Sequence, residues 1–191
     1  MSKIMTKESA SAVPESTESQ LIARVLAGDR LAARELYDAH APRIYRLTFR
    51  IAGDPDLAEE FTQDTFVKAF TKLSQFRGDA SLATWLHTIA VTVSINGIRK
   101  LRRRRAREAD IEVAASIGAS DRLGQPDLRD RLAAAIEALP EKLRITVVLH
   151  DIEGFTHPEI AEMTGVPEGT CKTRLAGGRA RLREALSAFA S

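Results

Sequence analysis

Residue types able to do covalent or metal chemistry are few in this chain and poorly placed for it. The four histidines, His40, His87, His150 and His157, do not fall at ligand spacings, and Cys171 is the single cysteine. A lone cysteine excludes an internal disulfide and any zinc site built from several thiolates. At an apolar helical position, Cys171 reads as a small core residue. No two carboxylates stand in the relation that acid–base catalysis needs. The sequence therefore predicts no catalytic residue, no metal and no cofactor. Its abundant chemistry is cationic. RKLRRRRAR, residues 99–107, carries seven positive charges and no negative one. The net charge is +2, so setting those seven aside leaves the remainder at about −5. One basic block on a mildly acidic chain points to a single surface that meets a polyanion.

A second cationic feature has more grammar. GFTHPEIAEMTGVPEGTCKTRL, residues 154–175, reads as two short helices hinged at Gly165. Thr156 can cap the first, with Glu159 completing a capping box. Ile160 and Met163 face inward, Val166 packs beside them, and the small Ala161 allows close approach. Pro167 suits a first helical turn, and Gly169-Thr170 leave room beside a phosphate. Lys172, Thr173, Arg174, Arg179, Arg181 and Arg183 then supply donors for phosphates and base edges. This is the pattern of a helix-turn-helix, whose second helix enters the major groove. By itself it is also compatible with an ordinary αα-hairpin carrying a solvated basic face.

These features need helices to hold them. At 191 residues the chain suits one medium or two small domains, and its Ala, Leu and Arg content against few aromatics favours helix. Residues 1–17 lack periodicity and predict a disordered tail. Residues 18–105 are helical in pattern. Leu21, Val25, Leu31, Leu36 and Tyr37 mark the apolar side of a helical pattern, with a break at Gly28-Asp29. Pro42 marks the start of a further helix. Gly53-Asp54-Pro55-Asp56 is a stop followed by a cap. The next helix buries Leu57, Phe61, Phe66, Phe70 and Leu73. FRGDAS, residues 76–81, is a polar loop. Beyond it VTVSI would suit a strand, but Ser81 as cap and the spacing of Leu82, Trp85, Leu86, Ile89 and Val93 predict helix. Residues 106–126 gain Gly, Ser, Asp and Pro and read as a linker. Residues 127–190 form a second helical domain. The fold expected is all-α: two small helical domains joined by a flexible linker. No apolar run approaches the ~20 residues that span a bilayer, so no membrane insertion of its own is expected. The single cysteine fits a reducing, cytoplasmic setting.

Read together, AEEFTQDTFVKAFTKLSQFRGDASLATWLHTIA and LPEKLRITVVLHDIEGFTHPEIAEMTGVPEGTCKTRLAGGRARLREAL make residues 18–187 resemble the extracytoplasmic-function (ECF) group of bacterial sigma factors. The second segment alone also looks like regulators of the LuxR type; the two in this order are far more specific. The resemblance implies region 2 at residues 18–105 and region 4, with its helix-turn-helix, at 127–190. It implies that Glu60, Gln63, Asp64, Val67 and Lys68 dock on the clamp helices of the polymerase large subunit, a face that periodicity alone reads as merely solvated. Phe76, Arg77, Asp79 and Ala80 would hold a flipped base of the minus-10 element, while Arg99, Lys100, Arg102, Arg103 and Arg104 hold the strand backbone. Trp85, on the apolar stripe, belongs to the core. Thr170, Lys172, Thr173, Arg174 and Arg179 would read the minus-35 element. The partners implied are RNA polymerase core (clamp helices and flap), promoter DNA and an anti-sigma factor. The chain would be cytoplasmic, at the nucleoid when active or held at the inner membrane by that factor. Four positions depart from the family pattern: His87 and Thr88 stand where Tyr and Arg are frequent, Thr92 replaces a frequent Asn, and Gly177 replaces a frequent Arg. Gly177-Gly178 lower helix propensity by roughly 2 kcal/mol against Ala. A sigma-like decoy that binds an anti-sigma protein without DNA is the alternative these losses permit.

Overall fold

The computed structural model describes residues 15–108 and 128–187. Helix α1 spans Glu15–Leu26, α2 Arg30–Ala52, α3 Pro55–Lys72 and α4 Leu82–Glu108. Then follow α5 Leu128–Glu137, α6 Glu141–Val147, α7 His157–Thr164 and α8 Glu168–Ser187. A single 3-10 turn, Leu73–Gln75, extends α3, and Val148–Ile152 widens α6 into a π-helical turn. Among the described residues there is no strand. The expected tail lies almost wholly, and the expected linker mostly, outside the described residues.

The boundaries follow from local chemistry. Gly28 takes φ +87°, and the Asp29 carboxylate then accepts hydrogen bonds from the Leu31 and Ala32 amides at 2.9 and 3.1 Å, opening α2. Gly53 closes α2 in the left-handed region at φ +66°; Asp54 caps α3 through the Leu57 amide at 2.9 Å, with Pro55 in the first turn. Pro42 does not begin a helix, as its sequence context suggested. It lies inside α2. A proline there removes one backbone bond and costs about 3 kcal/mol. Burial of Leu36 before it and Ile44, Leu47 and Ile51 after it offsets that cost, at roughly 1.5–3 kcal/mol for each such side chain. Leu31, placed on the apolar stripe by spacing alone, is instead 78% exposed.

VTVSI is helical within α4. Its hydroxyl residues are satisfied locally: Thr92 Oγ1 donates to the Thr88 carbonyl at 2.9 Å and Ser94 Oγ to that of Ala90 at 2.8 Å. Phe61, Phe66 and Leu73 of the α3 stripe are buried, and Leu57 and Phe70 partly so. Together with Leu82, Leu86 and Val93 of α4 and the buried side of α2 they make the first core. Gly97 belongs to it by absence: a Cβ there would run into the Phe61 ring. Ile145, Val148, Leu149, Ile160 and Cys171 continue the buried cluster into the second unit, where Cys171 is fully buried.

Candidate polymerase and nucleic-acid interface

Three surfaces carry the predicted residues. On α3, Ala58, Phe61, Thr62, Thr65, Phe66 and Ala69 turn inward. Glu60, Gln63, Asp64, Val67 and Lys68 are all exposed on the opposite side, a single face by three- and four-residue steps. Val67 is 65% exposed.

The second surface runs along α4. Arg77, Asp79 and Ala80 are exposed in the loop that precedes it, whereas Phe76 is half-buried against Trp85, ring centroids 5.3 Å apart at 55°. Trp85 packs on the core, as its stripe position predicts. Ser81 Oγ accepts from the Thr84 amide at 3.2 Å and starts the helix. The basic block lies at the other end of α4. Lys100, Arg103 and Arg104 are exposed; Arg99 and Arg102 are half-buried. Seventeen helical residues separate Leu82 from Arg99, about 26 Å of rise. The loop and the block therefore do not converge on one pocket. They lie at opposite ends of α4.

The third surface is the helix pair α7–α8. Thr156 donates its backbone N–H to Glu159 Oε2 at 2.7 Å and its hydroxyl to the same oxygen at 2.6 Å, so the predicted capping box forms. These bonds hold the Glu159 carboxyl below its ordinary pKa, the Thr156 hydroxyl contributing most. Gly165 makes the turn at φ +69°. In α8, Cys171, Leu175 and Gly178 are buried. At 100° per residue this sets Thr173 at the centre of the outward side, with Lys172 and Arg179 along one flank and Thr170 and Arg174 along the other. Two of the cations already have anionic partners. Lys172 pairs with Glu168 at 2.7 Å, and Arg179 grips Asp151 with two nitrogens, its Nε 2.9 Å from Oδ2. That grip holds the Asp151 carboxyl below the usual range.

The glycine pair in α8 does not interrupt it; the helix runs unbroken from Glu168 to Ser187. Gly178 is buried because a Cβ there would collide with Val147 Cγ2. Gly177 is more open, with only Leu143 Cδ2 at 3.8 Å from a Cβ position. Gly178, not Gly177, thus serves close packing of α8 on α6.

Residues that spacing did not single out, together with Arg99 and Arg102 of the basic block, join the two units. Glu153, with its side chain 8% exposed, receives Arg50 Nη2 at 2.8 Å and lies 2.5 Å from His87 Nε2. The His87 ring stacks on Phe155, centroids 6.3 Å apart at 16°. Arg144, 5% exposed, donates to the carbonyls of Leu139 at 3.2 Å and of Ala52 at the end of α2. Burial pulls its pKa down. Its guanidinium fills the space a Cβ on Gly53 would need. Arg102 pairs with Glu141, and Arg99 lies over the Gly165 turn. The departure at His87 was the one visible signal of this junction.

Residues 36–104 match the family model described as Sigma-70 region 2, and residues 129–182 that described as Sigma-70, region 4. That defines a two-unit sigma-70 type chain. The ECF RNA polymerase sigma factor SigM of Mycobacterium tuberculosis is 33% identical over 173 residues, covering 90% of this chain and 86% of that one. SigW of Bacillus subtilis, another ECF sigma factor, is 30% identical over 176 residues, with 86% and 94% covered. SigE of Mycolicibacterium smegmatis is 35% identical over 162 residues, and this chain spans 62% of its length. The co-crystal structure of the sigma factor RpoE with the anti-sigma factor NepR from Bartonella quintana superposes with a TM-score of 0.53 at 25% identity, over 81% of this chain and 96% of that one. The chain belongs to the ECF RNA polymerase sigma factors. Among the described residues no helix is long and apolar enough to cross a membrane.

Proposed function

We propose that this sigma factor binds core polymerase through the outward face of α3 and brings two DNA-facing surfaces to it. Glu60, Gln63, Asp64, Val67 and Lys68 meet the clamp helices of the large subunit. Phe76, Arg77, Asp79 and Ala80 hold a base extruded from the minus-10 element, and the cations of residues 99–104 hold the freed strand. The N-terminal half of α8 reads the minus-35 element in the major groove. The domain limits that go with this reading are residues 18–105 and 127–190. The chain performs no catalysis itself; the polymerase does. An anti-sigma protein governs it, a reading supported by the B. quintana complex. A cytoplasmic location, with capture at the inner membrane by that regulator, belongs to the same reading.

The observation that carries this reading is the joint match to regions 2 and 4 in one chain. Mixed with purified core polymerase, the protein is expected to co-elute at moderate salt and to direct discrete start sites on fragments of its own genome. Failure to co-elute contradicts it. Co-elution without initiation leaves only the decoy.

A further inference from the structure

The first residue of α8 carries a charge to which the minus-35 reading gives no task. Glu168 is the only acid of that helix before Glu184. Its side chain is 46% exposed, and its Oε1 lies 2.7 Å from Nζ of Lys172, which is 59% exposed. The hydrogen bond from Lys172 holds the Glu168 carboxyl below its ordinary pKa, so it stays an ionised, acceptor-only group. Gly169 beside it has open space where a Cβ would stand, and the outward residues that follow, Thr173 and Ala176, are small and exposed. The outward line of α8 thus holds nothing long enough to keep its first turn from the floor of a groove, where the leading end of a recognition helix works.

A carboxylate is repelled by the phosphate backbone. The backbone has other cations to meet: Arg174 and Arg181, on the flank opposite Lys172, have no carboxylate partner among the described residues. Base edges suit the Glu168–Lys172 pair better. In a G·C pair the cytosine N4 amine donates to guanine O6 at about 2.9 Å, and both atoms face the major groove. An acceptor and a donor held 2.7 Å apart match those two groups, Glu168 over N4 and Lys172 over O6 and the neighbouring N7. A T·A pair also sets a carbonyl beside an amine. There N7 flanks the amine and a methyl flanks the carbonyl, so the carboxylate meets a second acceptor and the ammonium loses one. Reversing the G·C pair sets the carboxylate over O6 and N7, which is worse still.

We infer that Glu168 is a specificity-determining residue of the minus-35 contact: with Lys172 it forms an acceptor–donor couple that reads one G·C pair in one orientation, cytosine under Glu168 and guanine under Lys172. The inference rests on the role of α8 proposed above and adds a residue to it. A merely helical role, an acid at the positive end of α8 tied to a lysine one turn on, accounts for the same ion pair but gives no base preference.

The test presents the full chain, assembled with core polymerase, with a pool of duplexes of random sequence that are sequenced before and after retention, core alone serving as the blank. Wild type should enrich an upstream motif in which one position favours cytosine at least about fivefold over each other base. Glu168→Gln keeps the length and removes the charge. Glutamine pairs with adenine N6 and N7, so the ratio of cytosine to adenine at that position should fall at least about fivefold while the other positions keep their bases. Glu168→Ala should lower the cytosine enrichment without raising adenine, leaving only the preference of Lys172 for the opposite guanine. Co-elution with core checks that each variant folds; should one fail, the other decides. A Glu168→Gln profile identical to that of wild type overturns the inference and leaves the minus-35 reading standing. Weaker retention with every base frequency intact overturns it equally, because Glu168 would then serve helix stability alone. A wild type that enriches no upstream motif contradicts the minus-35 reading itself, and the inference with it.

Discussion

At the scale of single residues, two of the cations on α8 are already occupied. Arg179, assigned to the minus-35 element, is clamped by Asp151, and Lys172 leans on Glu168. Asp151→Ala should therefore release one cation, strengthening binding to mixed-sequence duplex and steepening its salt slope by about 0.9, read by fluorescence anisotropy from 50 to 200 mM salt. Lys172→Ala with Arg174→Ala should act the other way, weakening duplex binding while core co-elution stays intact; loss of both would mean that the domain had unfolded. Glu153 adds a pH dependence. Burial favours its neutral form, but the bonds from His87 and Arg50 outweigh that and set its pKa below the ordinary 4.5. A lowered folded-state pKa means that the stabilisation is fully present above the unfolded value and is lost as pH falls through the folded one. The urea midpoint should hold from pH 7 to 5 and drop below that, and in Glu153→Gln this part of the drop should shrink.

At the scale of elements, packing explains what spacing could and could not announce. The caps at Asp54, Ser81 and Thr156 were legible, since each depends on a side chain and an amide three residues apart, whereas at Asp29 only the break was. So were the α3 stripe and the helical fate of VTVSI. Pro42 and Leu31 were not: the former survives within α2 because the helix is anchored on both sides, and the latter meets solvent because no element covers it. Gly177 and Gly178 looked alike and are not. Gly178→Ala should destabilise by about 1–3 kcal/mol through the collision with Val147, despite the better helix propensity of alanine. Gly177→Ala, free of such a contact, should stabilise by about 0.5–1 kcal/mol. Urea denaturation of the two variants separates them by sign. The α3 face is tested by charge reversal at Asp64 and Lys68, which should abolish co-elution with core while duplex binding by α8 persists; unchanged co-elution would refute the choice of face.

At the scale of the whole molecule, the division of labour was readable and the junction was not. Two helical units with a basic track and a helix-turn-helix follow from local patterns that each unit carries by itself. The cross-unit contacts pair residues far apart in sequence, Arg50 with Glu153 and Arg144 with Ala52, and no local periodicity encodes such pairs. The most direct measurement is a distance between spin labels placed at exposed Lys72→Cys and Arg183→Cys, positions that the buried Cys171 leaves uniquely reactive. On adding core polymerase the distance should lengthen by roughly 30 Å or more, as simultaneous contact with both promoter elements demands. A distance unchanged in the assembled holoenzyme would contradict the idea that this chain works by opening to present two surfaces to DNA.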